Sequence, residues 1–395
     1  MGSAKKTLLF VIHQLTVGGA QKSLLSALNA IDYDTYDVTL YVRKNRLALL
    51  PQVDGRVRKI IVNEDASRYY RRPRAMALYL LSHLAQLWGG SGERFEKRLR
   101  QYVVDAGMQY EKRHYFSDGK RYDVAISYIQ GYTAQFTWQY VPANRKIMFY
   151  HDSTDNNHEL HQSVMAGFER IAAVSEGCRK MLQEAYPDYA DKIIYIENCV
   201  DRDFVLAEAG KKTIDRGNRK IVLCTCGRIS PVKGFDLAVA AAKQLKEKGH
   251  DFLWYFVGDG PEREALEKQI DASLKDNIHI TGLLENPYPY IAQCDIYVQP
   301  SYEEAHPLAI LEAQILCRPV VSTATAGGKT TISDGETGVL AAITAESLAE
   351  KIDEMINDRA LRERIGENLG KLDWAMDKKR FRAAWKTLLE EGQKV

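Results

Sequence analysis

The sequence predicts an α/β protein of two doubly wound domains, each with a parallel sheet between layers of helices. Its 395 residues exceed what one hydrophobic core usually organises. A composition with 45% hydrophobic and 27% charged residues is typical of globular proteins and excludes collagenous, coiled-coil and disordered classes. Short apolar runs alternate with helical patterns, in two series separated by a polar stretch. This alternation is the pattern of repeated βαβ units.

The first series of apolar runs predicts the sheet of an N-terminal domain. The runs are nearly continuous in apolar residues, as expected of strands that helices cover on both faces. They lie at residues 7–13, 37–42, 57–62, 123–128, 146–150 and 192–198.

A second series begins after the polar stretch 209–220 and predicts a second sheet. Its runs lie at residues 220–228, 251–258, 277–282, 294–300 and 318–323. We therefore expect a first domain at residues 1–205 and a second at 206–375, with a linker near 200–218 and a C-terminal helix at about 376–395 that rejoins the first domain. Ligands of such sheets bind outside the carboxyl ends of the strands, so functional residues are expected there.

Charge, cysteine content and hydropathy narrow the class of protein. Lys and Arg number 54 against 52 Asp and Glu, so nothing in the overall charge indicates nucleic acid as a partner. Six scattered cysteines do not form a secreted disulfide framework. The longest apolar stretch, at 75–88, is interrupted by polar residues and falls short of the roughly 20 residues of a spanning helix. With no signal peptide visible, we expect a cytoplasmic protein that does not cross a membrane.

The segment 66–120 departs from the alternation because it is basic and amphipathic. It carries 11 Lys or Arg against 5 Asp or Glu and contains the apolar stretch MALYLLSHLAQLW. One interpretation is an ordinary helical pair with a solvated basic face. The other is peripheral contact with an anionic membrane at the inner face of the plasma membrane, because clustered Arg attracts anionic lipid while Leu and Trp enter the interface.

The stretch SYEEAHPLAILEA at 301–313 carries two carboxylates at a distinctive spacing. Pro307 suits a first helical turn, and a helix running on from it would carry Glu312 inward while Glu304 stays on the loop. Both could then face one ligand. The backbone N–H groups of His306, Leu308 and Ala309 at the helix start would suit a phosphate. The alternative is a strand–loop–helix turn with two surface acids.

The stretch CGRISPVKGFDLAVAA at 226–241 carries two cations at the carboxyl end of a predicted strand. Arg228 can fork onto phosphate oxygens, and Lys233 can add a point charge, as a diphosphate leaving group requires. Such cations on loops are otherwise often solvated. Their position at a strand end favours the functional interpretation.

A glycine pair follows the first predicted strand, in HQLTVGGAQKSLL at 13–25. Gly18 and Gly19 permit positive φ and a close backbone approach, although a tight turn alone would also explain them. The spacing does not give the dinucleotide fingerprint G-x-G-x-x-G, and VGDGPER at 257–263 lacks its last glycine. Nicotinamide and flavin cofactors are therefore not expected.

Two clusters invite a metal interpretation that their spacing does not support. His158 and His161 lie in HDSTDNNHELH, but H-E-x-x-H would require the second histidine at position 162. Cys224 and Cys226 alternate onto one face of a strand, where free thiols commonly pack as small hydrophobes. We expect no metal site.

Together these segments resemble the retaining glycosyltransferases of family 4, nucleotide-sugar-dependent enzymes with the two-Rossmann GT-B fold. Six motifs in the family's order carry the resemblance: the Gly18-Gly19 loop, NCVDRDF at 198–204, GRISPVKG at 227–234, VGDGPER with Gly258, the E-x7-E signature at 304–312 and AGGKTTISDGETG at 326–338. The resemblance implies two Rossmann-like domains facing each other across a cleft.

The resemblance also implies roles for individual residues. Glu304 would lie against the donor sugar, Glu312 would hold the ribose hydroxyls, and Arg228 with Lys233 would stabilise the departing diphosphate. His151, in FYHDST after a predicted strand, matches the family's active-site histidine and would contact the donor sugar or developing charge. The implied catalytic residues are His151, Glu304, Arg228 and Lys233, and the implied donor-binding residues also include Gly18, Gly19, Gly258, Ala305, His306, Pro307, Leu308, Ala309 and Glu312.

The implied activity is transfer of a hexose or N-acetylhexosamine from a nucleoside diphosphate sugar, with UDP favoured, to a saccharide or lipid-linked saccharide hydroxyl. Retention of configuration is implied, with no cofactor beyond the donor co-substrate. A nucleotide-sugar epimerase of related fold and a non-catalytic nucleotide- or glycan-binding relative are the alternatives. Three departures affect the sugar pocket and linker: Ala305-His306 replaces a frequent Gly-Phe, Thr331 a frequent Glu and Cys199 the usual Gly.

Overall fold

A computed structural model describes residues 4–62, 91–155, 157–218 and 221–390, with only the backbone described at 91–100, 102 and 103. The strands in these ranges form two sheets in which every pair of neighbours is parallel. The first sheet has the order β3-β2-β1-β4-β5-β6-β7. Its strands are β1 (Lys6–Ile12), β2 (Tyr36–Val42), β3 (Arg58–Ile61), β4 (Tyr122–Ser127), β5 (Ala143–Tyr150), β6 (Arg170–Ala173) and β7 (Ile193–Tyr195).

The second sheet has the order β10-β9-β8-β11-β12-β13. Its strands are β8 (Ile221–Cys226), β9 (Phe252–Val257), β10 (Ile278–Gly282), β11 (Ile296–Gln299), β12 (Val320–Thr323) and β13 (Val339–Ala341). In each sheet the strand order reverses beside the first strand, between β1 and β4 and between β8 and β11. Such reversals open a crevice at the carboxyl ends of the strands, which is where parallel sheets bind ligands.

Helices follow most strands, as a parallel sheet requires for its crossovers. The first domain contains α1 (Gly19–Ala30), α2 (Ser91–Tyr115), α3 (Tyr132–Tyr140), α4 (His158–Met165) and α5 (Glu176–Ala185). Further along the chain are α6 (Arg202–Ala209), α7 (Phe235–Glu247), α8 (Arg263–Gln269), α9 (Tyr288–Gln293), α10 (Leu308–Ile315), α11 (Ala326–Thr331), α12 (Ala345–Asn357), α13 (Arg359–Gly370) and α14 (Trp374–Glu390). Short 3₁₀ turns cover Leu50–Gln52, Pro187–Lys192 and Pro231–Lys233.

The buried cores belong to the separate sheets. Strand residues such as Phe10 and Ile126 form the main core of the first sheet, and Trp254 and Val298 lie in that of the second. The last helix, α14, returns to the first sheet, where Phe381 and Trp385 are buried in its core. The ring of Trp385 stacks on that of Phe149, with centroids 5.1 Å apart and planes at 6°.

The two-domain α/β architecture predicted from the sequence is confirmed, with two differences in detail. Strands β6 and β13 were not predicted. The expected linker contains the helix α6, whose Val205 is fully buried against the second sheet. The apolar stretch of the basic segment lies outside the described residues, which resume at α2.

Within the described ranges, no helix has both the length and the hydropathy needed to span a membrane.

Candidate functional site

The loop after β8 carries Arg228 and Lys233 toward the carboxyl ends of the second sheet. Gly234, which ends this loop, has φ +63°. A Cβ atom there would lie 2.0 Å from the carbonyl oxygen of Pro300, so only glycine permits the approach. The loop after β8 therefore packs closely against the loop after β11, at Pro300. The Arg228 side chain is exposed and has no ion-pair partner in the part of the chain that the structure describes.

Lys233 and Glu304 form an ion pair between these two loops. The Lys233 Nζ atom lies 2.7 Å from Glu304 Oε1. The same oxygen accepts hydrogen bonds from Gln299 Nε2 at 3.0 Å and Ser301 Oγ at 2.8 Å. Glu304 is only 9% exposed, so little water competes for its carboxylate. The three donors on one oxygen therefore fix the orientation of that carboxylate. The motifs 227–234 and 304–312 therefore meet at this ion pair.

Glu312, the second acid of the spacing, points inward from α10 and is 1% exposed. Its Oε1 atom accepts hydrogen bonds from Lys22 Nζ at 2.6 Å and from Tyr288 OH at 3.1 Å. Its Oε2 atom is buried and has no hydrogen-bond partner. Lys22 belongs to α1 of the first domain, so this contact crosses the cleft.

The loop between the two acids packs against Gly327, which belongs to the glycine-containing segment 326–338. Gly327 N donates to Glu304 O at 2.9 Å, and a Cβ atom on Gly327 would lie 2.8 Å from both Glu304 O and Pro307 Cδ. The helix itself begins at Leu308, with Pro307 at its N-cap. Pro307 was predicted in the first helical turn. It stands one position earlier because its ψ of 88° is not helical.

His151 stands directly after β5, facing the cleft from the first domain. Burial lowers the pKa of its imidazole from 6.5 to about 4, with a smaller lowering from His306, while a hydrogen bond to the Tyr128 backbone opposes the shift. The ring is therefore neutral near pH 7. A ring that donates from Nδ1 to a carbonyl leaves Nε2 as an acceptor. The Nε2 atom of His151 is buried without a partner.

His306 reaches toward the first domain from the loop between the acids. Its Nε2 atom lies 3.5 Å from Glu197 Oε1, and its side chain is 6% exposed. Its Nδ1 atom is buried and unpartnered. Two imidazoles, those of His151 and His306, thus each present one unsatisfied ring nitrogen at the cleft, and such groups are rare in folded proteins.

The glycine pair after β1 does not use the positive φ that glycine permits. Gly18 has φ −170°, which is ordinary extended backbone, and α1 begins at Gly19. A Cβ atom on Gly19 would lie 4.0 Å from Leu308 Cδ1, an ordinary contact. The pair lies opposite the start of α10, across the cleft.

Gly258, at the end of β9, does require glycine. Its φ is +155°, and a Cβ atom would lie 1.9 Å from the carbonyl oxygen of Gly227. A bridge joins Gly258 to Gly282 in the next strand. The turn at Gly258, one of the segments that carry the resemblance, therefore lies directly against the start of the loop that carries Arg228.

The clusters considered for metal have other partners. Asp155 Oδ atoms lie 2.8 Å from His158 Nδ1 and 2.6 Å from His161 Nδ1. Cys224 is fully buried, and burial raises the pKa of the Cys226 thiol to about 12. Within the described ranges no group of three or more His, Cys, Asp or Glu is arranged to hold a metal ion.

Several residues of this cleft were not singled out in the sequence. They are Lys22, Glu197, Tyr288, Gln299 and Ser301. Gln299 and Ser301 flank the end of β11, and their closeness to the E-x7-E spacing was an available signal. Lys22 lies near the start of the helix that follows the glycine pair. Its partner Glu312 lies 290 residues further along the chain, so no local spacing indicated this contact.

Residues 208–371 match the family described as glycosyl transferases group 1. The alpha-D-kanosaminyltransferase of Streptomyces kanamyceticus is 35% identical over 159 residues, which are 39% of this chain and 41% of that protein. The lipopolysaccharide core biosynthesis glycosyltransferase LpsE of Rhizobium meliloti (strain 1021) is 32% identical over 148 residues, 37% of this chain and 42% of that protein. The chain thus spans less than half the length of these curated relatives.

Solved structures resemble the whole chain. Anabaena Alr3699/HepE in complex with UDP and glucose aligns with a TM-score of 0.71 at 18% identity, covering 98% of both chains. A mutant of S. aureus TarM, in a complex that includes UDP, aligns with a TM-score of 0.71 at 14% identity over 97% of this chain and 99% of that one. The fold is therefore the two-domain GT-B fold of glycosyltransferases, and its second domain carries a match to the group 1 glycosyl transferases.

Proposed function

We propose that the protein is a glycosyltransferase that moves a sugar from a nucleoside diphosphate sugar to a saccharide hydroxyl. The observation that carries this proposal is the ion pair of Lys233 with Glu304, in the segment that matches the family, with Arg228 exposed on the same loop as Lys233. A diphosphate binds where cations are placed in advance, and a sugar binds beside a carboxylate that accepts from its hydroxyls. The complexes of HepE and TarM contain UDP, which favours UDP as the nucleotide.

In the proposed complex, charge develops on the diphosphate as the bond to the sugar breaks. Arg228 is exposed and free of ion pairs with described residues, so it can turn to the phosphates without breaking a contact. Lys233 is already oriented by Glu304. His151, neutral near pH 7, would accept a hydrogen bond from a sugar hydroxyl at its unpartnered Nε2 atom. Positioning and preorganised charge would then supply most of the catalysis.

We further propose retention of anomeric configuration without a resident metal. Glu304 is the carboxylate nearest to the proposed sugar position, and its Oε1 atom already accepts from three donors. A carboxylate engaged in this way is a poor nucleophile. A front-face reaction, in which the leaving phosphate assists deprotonation of the acceptor, is consistent with that arrangement, and two protein cations can take the role of a metal at the diphosphate.

We propose that residues 1–205 with the C-terminal helix form the acceptor-side domain and residues 206–375 the donor-side domain. We also propose that the protein is cytoplasmic and that residues 66–120 hold it at an anionic membrane that supplies a lipid-linked saccharide. Co-sedimentation with anionic vesicles at low salt, lost at high salt, tests the membrane contact. Equal lack of binding to neutral and anionic vesicles would contradict it.

Incubation with a panel of UDP- and GDP-sugars tests the proposed function. A transferase releases the nucleoside diphosphate slowly by hydrolysis even without acceptor, and faster when its acceptor is added. Interconversion of the donor's sugar without release would identify an epimerase. Binding with neither reaction would identify a non-catalytic relative. The Glu304→Gln variant, which removes the charge and keeps the shape, controls for contaminating hydrolases.

A further inference from the structure

Lys22 and Glu312 form a buried ion pair that crosses the cleft between the domains. Their charged atoms lie 2.6 Å apart, with side-chain exposures of 18% and 2%. The Lys22 Nζ atom also lies 4.9 Å from the centre of the Tyr288 ring. Burial opposes the charge on Lys22, yet the facing Glu312 and Tyr288 raise its pKa above the ordinary value. Lys22 is therefore a cation held inside the protein by one carboxylate.

The Glu312 carboxylate is satisfied on one oxygen and not on the other. Oε1 accepts from Lys22 and Tyr288, whereas Oε2 is buried without a partner. A buried carboxylate oxygen left unpaired is costly, so such an atom marks a place that a ligand donor completes. Lys22, Tyr288 and Glu312 also line one cavity of about 50 Å³, together with Glu285 and Leu308. The unsatisfied carboxylate thus belongs to a small cavity between the domains.

We propose that Lys22 is a positioning residue for the nucleoside diphosphate: it occupies Glu312 Oε1, fixes the carboxylate and leaves Oε2 to accept a ribose hydroxyl. The inference rests on the proposed function. Because Lys22 comes from the first domain and Glu312 from the second, the ribose acceptor is oriented only when the cleft is closed. Nucleotide binding and domain closure therefore favour each other.

This role differs from that of a lysine which merely stabilises the fold. A structural ion pair would change stability and leave ligand selectivity as it is. A positioning residue acts through Glu312 on the ribose, so its loss changes the preference for a ribose over a deoxyribose. It also differs from a competing latch, in which Lys22 would have to leave Glu312 before nucleotide could bind.

The test is UDP and 2′-deoxy-UDP binding by calorimetry to the full chain and its variants. Lys22→Met keeps the length of the side chain and removes its charge. We expect the Kd for UDP to rise by about 30-fold or more, as for loss of one partner of a buried charge pair, and the preference for UDP over 2′-deoxy-UDP to shrink. Lys22→Arg should restore part of both. Lys378→Met removes an exposed lysine whose Nζ atom lies 3.2 Å from Asp203 Oδ2, and should change neither.

Two further variants extend the test, and the first of them keeps it decisive if Lys22→Met folds poorly. Tyr288→Phe removes only the hydroxyl that donates to Oε1 and should weaken UDP binding in the same direction by a smaller factor. Glu312→Gln combined with Lys22→Met should lose much less than the sum of the two single losses, since both act through one carboxylate. Additive losses would overturn the proposal.

The other outcomes are also distinct. Tighter UDP binding by Lys22→Met would identify a competing latch and overturn the positioning role. Unchanged UDP affinity in Lys22→Met, with wild-type binding intact, would overturn this inference and leave the proposed function standing. If the wild type binds no UDP, the proposed UDP specificity and this inference both fail.

Discussion

The Lys233 Nζ atom lies 2.7 Å from Glu304 Oε1, and this contact joins the loops after β8 and β11 at the reversal of the second sheet. The pair places a cation and a carboxylate side by side, with opposite requirements for a ligand. The cation suits a phosphate, and the carboxylate suits a hydroxyl. A nucleoside diphosphate sugar carries both groups, since its diphosphate is attached to the anomeric carbon of a ring that bears hydroxyls, and this relationship therefore supports the proposed function.

The two cations of the loop after β8 should each be needed for rapid transfer. We expect Arg228→Ala and Lys233→Ala each to reduce kcat by on the order of 100-fold, because each would stabilise charge that grows on the leaving diphosphate. Steady-state rates of nucleotide release from the preferred donor measure the effect. Lys243→Ala, at an exposed ion pair on α7, is the control. Near-wild-type turnover in both variants would contradict the assigned roles.

Gly234 should be the most sensitive glycine of the same loop. Alanine at φ +63° costs about 1–2 kcal/mol from the left-handed conformation alone, and its Cβ atom would also meet Pro300 O at 2.0 Å. Gly249 provides the matched control, since it has φ +81° with no atom within 4 Å of the added Cβ. We expect Gly234→Ala to lower the free energy of unfolding clearly more than Gly249→Ala in urea titrations. Equal losses would mean that the contact with Pro300 imposes no constraint.

His306 should influence the choice of donor sugar. It stands two residues after Glu304, and its buried Nδ1 atom has no partner. A site built to pair a hydroxyl rejects analogues that lack it, whereas a phenylalanine wall discriminates weakly. We expect His306→Phe to keep UDP affinity and change the ranking of kcat/KM among UDP-glucose, UDP-galactose and UDP-N-acetylglucosamine. Glu197→Gln tests whether the contact at 3.5 Å holds the ring. An unchanged ranking in both variants would assign sugar choice to other residues.

His151 should make the protein less stable in mild acid. Its pKa is about 4 in the folded protein against about 6.5 in an unfolded chain. Between these two pH values the unfolded state binds more protons than the folded state does. The contribution of His151 to the free energy of unfolding is therefore nearly constant above pH 6.5 and becomes unfavourable as the pH falls toward 4. The full difference between the two pKa values corresponds to about 3 kcal/mol of unfolding free energy. Between pH 7 and pH 5, wild type should lose about 2 kcal/mol more stability than His151→Gln. Parallel losses would contradict the low pKa.

The sequence predicted the parts of the structure that local patterns encode. Long apolar runs predicted the longer strands, such as β5 and β9, because burial on both faces leaves a continuous signal. The strands β6 and β13 have only four and three residues, RIAA and VLA. Such short runs show no recognisable hydrophobic pattern in the sequence. Their strand conformation depends on pairing with the neighbouring strands.

The candidate site was predicted in part for a related reason. Glu304, Lys233 and Gly258 lie in motifs whose spacing limits their geometry, and the structure brings these motifs together. The pairing of Lys22 with Glu312 depends on how two domains meet, which no local pattern records. The same holds for His306 and Glu197. Gly18 and Gly19 permit positive φ, but the chain enters α1 from an extended residue and does not use it.

The most direct measurement of the central claim is a crystal structure of the protein with UDP. The account predicts the diphosphate within hydrogen-bonding distance of Arg228 and Lys233, and a ribose hydroxyl on Glu312 Oε2 with Lys22 still on Oε1. A nucleotide bound elsewhere, or one whose phosphates avoid both cations, would contradict the account.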